Sequence, residues 1–260
     1  MTPSLSLYAG RESWLHRLHP LTKLTATGTL VAAALLLPGA WPNYAVAGLL
    51  LLPLALSGRV AREWLRGVWP VVLPFAVSVF LIQGLLWPGG TPLLHLGPVS
   101  VKREGLLFAV ASVGRIWLLV GAFILFALTT RADRLMIGLT QRGVSPSLAY
   151  LVVATVQIIP RFRARAAAIL DAQRARGLET EGGLRQRLRA LLPLIGPLVL
   201  SSLVDVEERA LAIEARAFTV RGPKTSLAEV VEAAWEPAAR WAMMALAAGL
   251  VAARIWLALA

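Results

Sequence analysis

Long uncharged runs separated by short charged segments dominate the hydrophobic pattern of the chain. No Asp, Glu, Lys or Arg occurs in residues 24–58, 67–101 and 116–130, nor in the shorter runs 143–160 and 190–204. About 20 apolar residues span the hydrocarbon core of a bilayer as a helix, and a charge at the centre of such a helix costs about 2.5 to 3.5 kcal/mol. The long runs therefore predict membrane spans.

Turn-forming residues divide these runs into individual spans. The sequence Pro38–Asn43 separates two short spans, and residues 88–100, which are rich in Pro and Gly, predict an irregular connection. The predicted spans are residues 24–37, 44–57, 68–87, 105–130 and 241–260. We interpret the chain as an all-α integral membrane protein with about five transmembrane helices.

The segment of residues 131–225 combines charge with helical periodicity. It holds 15 of the 26 Lys and Arg residues, against 8 of the 14 Asp and Glu residues. Its apolar stretches 144–160 and 190–204 are too short or too rich in proline to be assigned as spans, so we predict long amphipathic cytoplasmic helices. The chain is thus divided into a membrane region with four spans (1–130), a cytoplasmic helical region (131–225) and a carboxy-terminal span (226–260).

The distribution of positive charge predicts orientation and partners. Residues 11–23, 59–66 and 131–142 are strongly basic, whereas residues 38–43 carry no charge, so the amino terminus and the central segment are expected in the cytoplasm. The net charge of +12 would also suit nucleic acid. Because the charges lie in blocks between spans, we expect contact with membrane lipid, no nucleic acid, and a multi-pass protein of the inner (cytoplasmic) membrane.

Few residues in the chain are suited to catalysis or metal binding. There is no cysteine, which excludes disulfides and thiol chemistry, and there is no Gly-x-x-x-x-Gly-Lys-Ser/Thr sequence for ATP. The only histidines and aspartates are scattered along the chain, at His16, His19, His95, Asp133, Asp171 and Asp205. We therefore predict a protein that is not an enzyme and has no catalytic residue, cofactor or metal site.

Two similar triplets in the central segment are candidate binding elements. They are Ala175-Arg176-Gly177 and Ala215-Arg216-Ala217. An arginine near a helix end offers a rigid fork of donors to another protein, and small neighbours allow close approach. The alternative is that both helices simply face solvent or lipid headgroups. Arg115, the one charge inside the fourth predicted span, either contacts a partner subunit, snorkels, or pairs with a carbonyl inside the bundle.

The order of these features resembles the transmembrane coupling (T) component of energy-coupling factor transporters. That family has a basic amino-terminal segment of the His-x-x-Pro-x-x-Lys-Leu kind, and residues 16–24 are similar to it, with His19-Pro20 and Lys23-Leu24 in place. The family also has two Ala-Arg-Gly motifs in its coupling helices. Residues 175–177 match the first, whereas Ala217 replaces the glycine of the second.

The resemblance implies a function in transport. A T component links two cytoplasmic ATP-binding subunits to a small membrane subunit that captures the substrate, often a vitamin or a transition-metal ion. Arg176 and Arg216 would then lie in grooves of the two ATPases. The residues alone leave two alternatives open: an integral membrane enzyme whose arginines bind lipid-linked phosphate substrates, and a passive anchor that recruits acidic cytoplasmic proteins.

Overall fold

Helices form nearly all the regular structure of the described residues. The computed structural model describes residues 13–88, 91–96, 99–178, 183–218, 220 and 229–259; Arg11 and Glu12 lie outside this part. The elements are α1 (Trp14–Arg17), α2 (Pro20–Leu36), α3 (Trp41–Val46), a π-helical stretch (Ala47–Leu51), α4 (Leu52–Ser57), α5 (Ala61–Leu86), β1 (Pro92–Leu96), β2 (Val99–Lys102), α6 (Arg103–Thr129), α7 (Ala132–Thr140), α8 (Pro146–Ala175), α9 (Leu184–Ala215) and α10 (Glu236–Leu259). The predicted all-α membrane fold is confirmed.

Three helices among the described residues are long and apolar enough to cross a membrane. They are Ala61–Leu85, Arg103–Thr129 and Glu236–Leu259. Two shorter apolar helical segments, Pro20–Leu36 and Trp41–Ser57, coincide with the first two predicted spans. The protein is therefore a membrane protein, and the count of five spans stays a prediction because these two segments have only 17 residues each.

The contacts within the chain define two compact units. One comprises Ser6–Gly138 together with Val230–Ala260, and contains α1 to α6, most of α7, and α10. The other comprises Leu139–Glu229, with α8 and α9. The last helix thus belongs to the same unit as the amino-terminal helices, from which it is separated by the whole central segment. The predicted boundaries near residues 130 and 225 stay predictions.

Small residues on α6 allow aromatic rings from other helices to approach its backbone. The Trp64 ring is fully buried, and its Nε1 donates a hydrogen bond to the carbonyl of Gly121 at 2.8 Å. The Tyr44 hydroxyl likewise donates to the carbonyl of Val110 at 2.9 Å, and a Cβ at Gly114 would lie 2.6 Å from the Tyr44 ring. Such close approach at small residues is typical of helix packing in membranes, where burial in lipid supplies little driving force.

The connection between α5 and α6 is partly regular. β1 and β2 pair as an antiparallel hairpin, with His95 opposite Ser100 and Leu96 opposite Val99. The prediction of an irregular connection over residues 88–100 is therefore wrong for the strands. Pro and Gly stand before the strands, at the first position of β1, and between the strands, so they leave short runs free to pair.

Candidate functional site

The two long helices of the 139–229 unit run antiparallel. The rings of Tyr150, near the start of α8, and Phe218, just after α9, have centroids 5.6 Å apart. Further along, Arg165 of α8 donates hydrogen bonds to both carboxylate oxygens of Asp205 of α9, at 2.5 and 3.0 Å, and to the carbonyl of Ser201 at 3.2 Å. The start of α8 therefore lies beside the end of α9.

The ion pair between α8 and α9 is partly exposed. Hydrogen bonding to Arg165 lowers the pKa of Asp205, with burial opposing this shift, and the same bond raises the pKa of Arg165. Each of the two side chains is more than one third exposed to solvent. Solvent therefore screens the ion pair, and its net contribution to stability is small. Its bidentate geometry does fix the register of the two helices.

The first triplet forms the carboxyl-terminal cap of α8. Arg176 is the capping residue and Gly177 follows with φ +91°. The amide of Leu178 donates to the carbonyl of Gln173 at 3.0 Å, and that of Gly177 to Arg174 at 2.9 Å. This pair of bonds is the Schellman motif, which requires a left-handed residue after the cap. A Cβ at residue 177 would have no atom within 4 Å, so steric contact does not require glycine there. The positive φ of this residue does favour glycine.

The second triplet caps α9 with the same geometry although it lacks the glycine. Arg216 is the capping residue and Ala217 follows with φ +54°. The amide of Phe218 donates to the carbonyl of Ile213 at 3.2 Å, and that of Ala217 to Glu214 at 2.9 Å. An L-residue with a Cβ is strained in this conformation. The departure of Ala217 from the family pattern thus changes the strain at this cap and leaves its hydrogen bonds in place.

The two arginines are exposed at opposite ends of the helix pair. Neither guanidinium forms a hydrogen bond or ion pair with another residue that the structure describes. Because Phe218 lies beside Tyr150, 26 residues of chain before Arg176, the two arginines are roughly 30 to 40 Å apart at 1.5 Å per helical residue. Their predicted role in binding ATPases stays a prediction.

We expect Ala217→Gly to stabilise the end of α9 by about 1 kcal/mol, because glycine adopts a positive φ without the Cβ strain. Hydrogen–deuterium exchange followed by mass spectrometry should show slower exchange in the last turn of α9. Ala215→Gly is the matched control, since residue 215 is the last helical position, and it should speed exchange. Equal or faster exchange in Ala217→Gly than in the wild type would contradict the strained cap.

The amino-terminal motif organises the other unit. His19 caps α2, and its Nδ1 accepts a hydrogen bond from the amide of Leu21 at 3.2 Å, while Pro20 occupies the first turn. The buried Lys23 donates from Nζ to the carbonyls of His16 at 3.2 Å and Thr129 at 2.8 Å. Lys23 therefore ties the amino-terminal segment to the end of α6.

Glu236 at the start of α10 is the centre of a buried polar network. One carboxylate oxygen accepts from the amide of His19 at 3.0 Å and from the hydroxyl of Thr22 at 2.6 Å. Arg240 donates to that hydroxyl at 3.3 Å and forms an ion pair with Glu232. Glu236 and Arg240 are 2% and 7% exposed, so this carboxylate and the arginine are largely removed from water.

Sequence reasoning did not find this network. The last span was predicted at 241–260, whereas α10 begins at Glu236. A usable signal was present, because Glu232, Glu236 and Arg240 recur every four residues directly before an apolar run. Which residues they contact could not be read from that spacing.

Arg115 lies inside the helical bundle and contacts backbone. Its Nε donates to the carbonyl of Ala34 on α2 at 3.2 Å. This is the internal pairing that the sequence offered as an alternative to a partner contact. A contact of Arg115 with another subunit stays a prediction.

Comparison with known proteins identifies similar chains over most of the length. A model of the CbiQ family, described as cobalt transport protein, matches residues 11–227. An energy-coupling factor transporter transmembrane protein EcfT from Listeria innocua is 31% identical over 231 residues, which cover 85% of each chain. A protein of the same name from Heliobacterium modesticaldum is 33% identical over 227 residues, which cover 83% of this chain and 84% of that protein. Another, from Thermosediminibacter oceani, is 28% identical over an alignment of 268 residues, which covers 97% of this chain and 98% of that protein. These relatives are named as transporter components rather than enzymes.

Proposed function

Because the chain belongs to the cobalt transport protein family, and is a membrane component of an energy-coupling factor transporter, we propose that it transmits ATP-driven motion from two cytoplasmic ATPases to a small substrate-binding membrane subunit. The transported substrate would be a vitamin or a transition-metal ion, captured by that other subunit. The protein itself would bind neither ATP nor a cofactor.

The repeated helix end of α8 and α9 supports this proposal most directly. Each helix ends in the same hydrogen-bonded cap, with an exposed arginine at the capping position and a small residue after it. A planar guanidinium at such an end can donate two parallel hydrogen bonds to a carboxylate of a partner. Because Arg176 and Arg216 are far apart, they suit two separate ATPases rather than one groove.

Exposed apolar side chains on the same helices support a second partner within the membrane. Several apolar residues of the two helices are between 46% and 66% exposed to solvent: Leu200, Leu203 and Val206 on α9, and Leu151 and Ile159 on α8. Apolar surface of this extent marks interaction sites in proteins. A helix pair that binds ATPases at its ends and a hydrophobic subunit along its length can convert closure of the ATPases into movement of that subunit.

Purification of the tagged full-length protein from its native membranes tests the proposal. We expect two ATP-binding subunits and one small hydrophobic protein to co-purify in stoichiometric amounts, and ATP-dependent uptake in proteoliposomes of the complex. Hydrolysis of lipid-linked phosphate by the chain alone would indicate an enzyme instead. ATPase binding without any uptake would indicate an anchor, and either result would refute the proposal.

A further inference from the structure

A basic cleft lies where the amino-terminal segment meets the carboxyl-terminal end of α6 and the start of α7. Its lining includes Arg17, Lys23, Thr130, Arg131 and Arg134. No Asp or Glu contributes to the lining among the residues that the structure describes. A concave site lined by several cationic side chains and no carboxylate is suited to an anion that accepts hydrogen bonds.

The charges of the cleft are only partly balanced by the protein. Arg131 forms a bidentate pair with Asp133, Nε to Oδ1 at 3.0 Å and Nη2 to Oδ2 at 2.7 Å, so much of its charge is neutralised. Lys23 uses two of its three ammonium donors on backbone carbonyls. The guanidinium of Arg134 is exposed and bonds to no other residue in the described part of the chain. A net positive charge therefore remains.

Thr130 gives an independent indication of a ligand. Its side chain is only 9% exposed, and the hydroxyl has no hydrogen-bond partner among the described residues, although it lines the cleft. Buried hydroxyls in proteins are almost always hydrogen-bonded, because an unsatisfied one loses its contacts with water without replacement. An anion oxygen seated in the cleft would accept this hydrogen bond.

The cleft lies at the level of the membrane boundary. Pro20, at the first position of α2, and Thr129, at the last position of the membrane-spanning helix α6, both line it. Lipid phosphates are concentrated at this level, and basic pockets between the ends of transmembrane helices bind acidic headgroups. A zwitterionic headgroup would bring its own cation against Arg17 and Arg134, so an anionic headgroup fits better.

We propose that this cleft binds the phosphate of an anionic membrane lipid, held by Arg134, Lys23 and the hydroxyl of Thr130. The bound headgroup would join the amino-terminal segment, α6 and α7 through one ligand. This inference is independent of ATPase coupling, because none of these residues belongs to the 139–229 unit.

Native mass spectrometry of the purified full-length protein tests the site. The probes are phosphatidylglycerol, phosphatidylcholine with the same acyl chains, and inorganic phosphate as competitor. We expect phosphatidylglycerol to bind about tenfold more tightly than phosphatidylcholine, and Arg134→Gln and Thr130→Val to weaken its binding by about tenfold and several-fold. Arg66→Gln, an exposed arginine away from the cleft, should bind like the wild type.

The variants distinguish the possible results. Unchanged phosphatidylglycerol binding in both cleft variants, or equal binding of the two lipids, would refute the site. Displacement of lipid by millimolar inorganic phosphate would assign the cleft to free phosphate and refute the lipid assignment. Thr130→Val preserves the shape of the side chain. If Arg134→Gln fails to fold, the affinity of Thr130→Val for phosphatidylglycerol therefore tests the site.

Discussion

Replacing Arg176 and Arg216 together with alanine is expected to abolish both co-purification of the ATPases and substrate uptake. Truncation of a buried interface arginine typically costs about 2 to 4 kcal/mol, which weakens binding by roughly 30-fold to 1,000-fold. With one such contact in each ATPase, loss of both should separate the subunits during purification. The measurement is the ratio of ATPase to this protein after affinity purification, together with uptake in proteoliposomes.

The single variants sharpen this test because the two arginines are at opposite ends of the helix pair. Arg176→Ala and Arg216→Ala should each weaken one ATPase contact and leave the other, so the complex should be only partly lost. Folding is expected to survive, since both caps are held by backbone hydrogen bonds and neither arginine side chain bonds to a described residue.

A control with the same change in charge separates specific contact from general electrostatics. Arg62→Ala combined with Arg163→Ala also removes two exposed positive charges, one of them from α8 itself. This pair should retain ATPases and uptake. If the Arg176 and Arg216 double variant retains both as well, the assignment of these residues is wrong.

Replacing Glu236 with alanine is expected to lower the stability of the membrane unit by about 3 to 5 kcal/mol. The change removes the acceptor of two buried donors, the amide of His19 and the hydroxyl of Thr22, whereas Arg240 keeps its ion pair with Glu232. Each buried donor left without an acceptor costs about 1 to 3 kcal/mol, because it has lost water and gains no other partner. Thermal unfolding in detergent should show a midpoint lower by roughly 6 to 20 °C.

Two further variants identify the cause of this loss. Glu236→Gln keeps the shape and one acceptor oxygen, so it should be intermediate. Glu229→Ala removes an exposed carboxylate a short distance earlier in the chain and should unfold like the wild type. Hydrogen exchange should rise at residues 13–23 in Glu236→Ala. A wild-type midpoint for that variant would show that the network does not hold α10 against the amino-terminal segment.

The two sets of substitutions lie in different units of the chain, so their effects should be separable. Arg176 and Arg216 lie in the 139–229 unit, and Glu236 contacts α2 in the other unit. We expect the arginine variants to keep the wild-type unfolding midpoint and to lose partners, and Glu236→Ala to lose stability first. Any loss of uptake in Glu236→Ala should follow its loss of folded protein.

Features that depend only on residues close together in the sequence were predictable from it. The charge-free runs predicted the apolar helices because burying a charge in lipid is costly wherever the helix packs. The ends of α8 and α9 fall at the two arginine triplets because a cap is formed by residues within one turn of it. The hairpin of residues 92–102 was missed because its strands are short and Pro and Gly dominate the pattern around them.

The sequence by itself determined that this is a helical membrane protein, where its long apolar helices lie, and that Arg176 and Arg216 stand at helix ends. Tertiary structure alone decided that Glu236 bonds to His19, 217 positions earlier, that Arg115 bonds to a carbonyl of α2, and that the basic residues near the end of α6 line one cleft. Solvation and capping act over one helical turn or one span, whereas these contacts exist only after packing brings distant segments together.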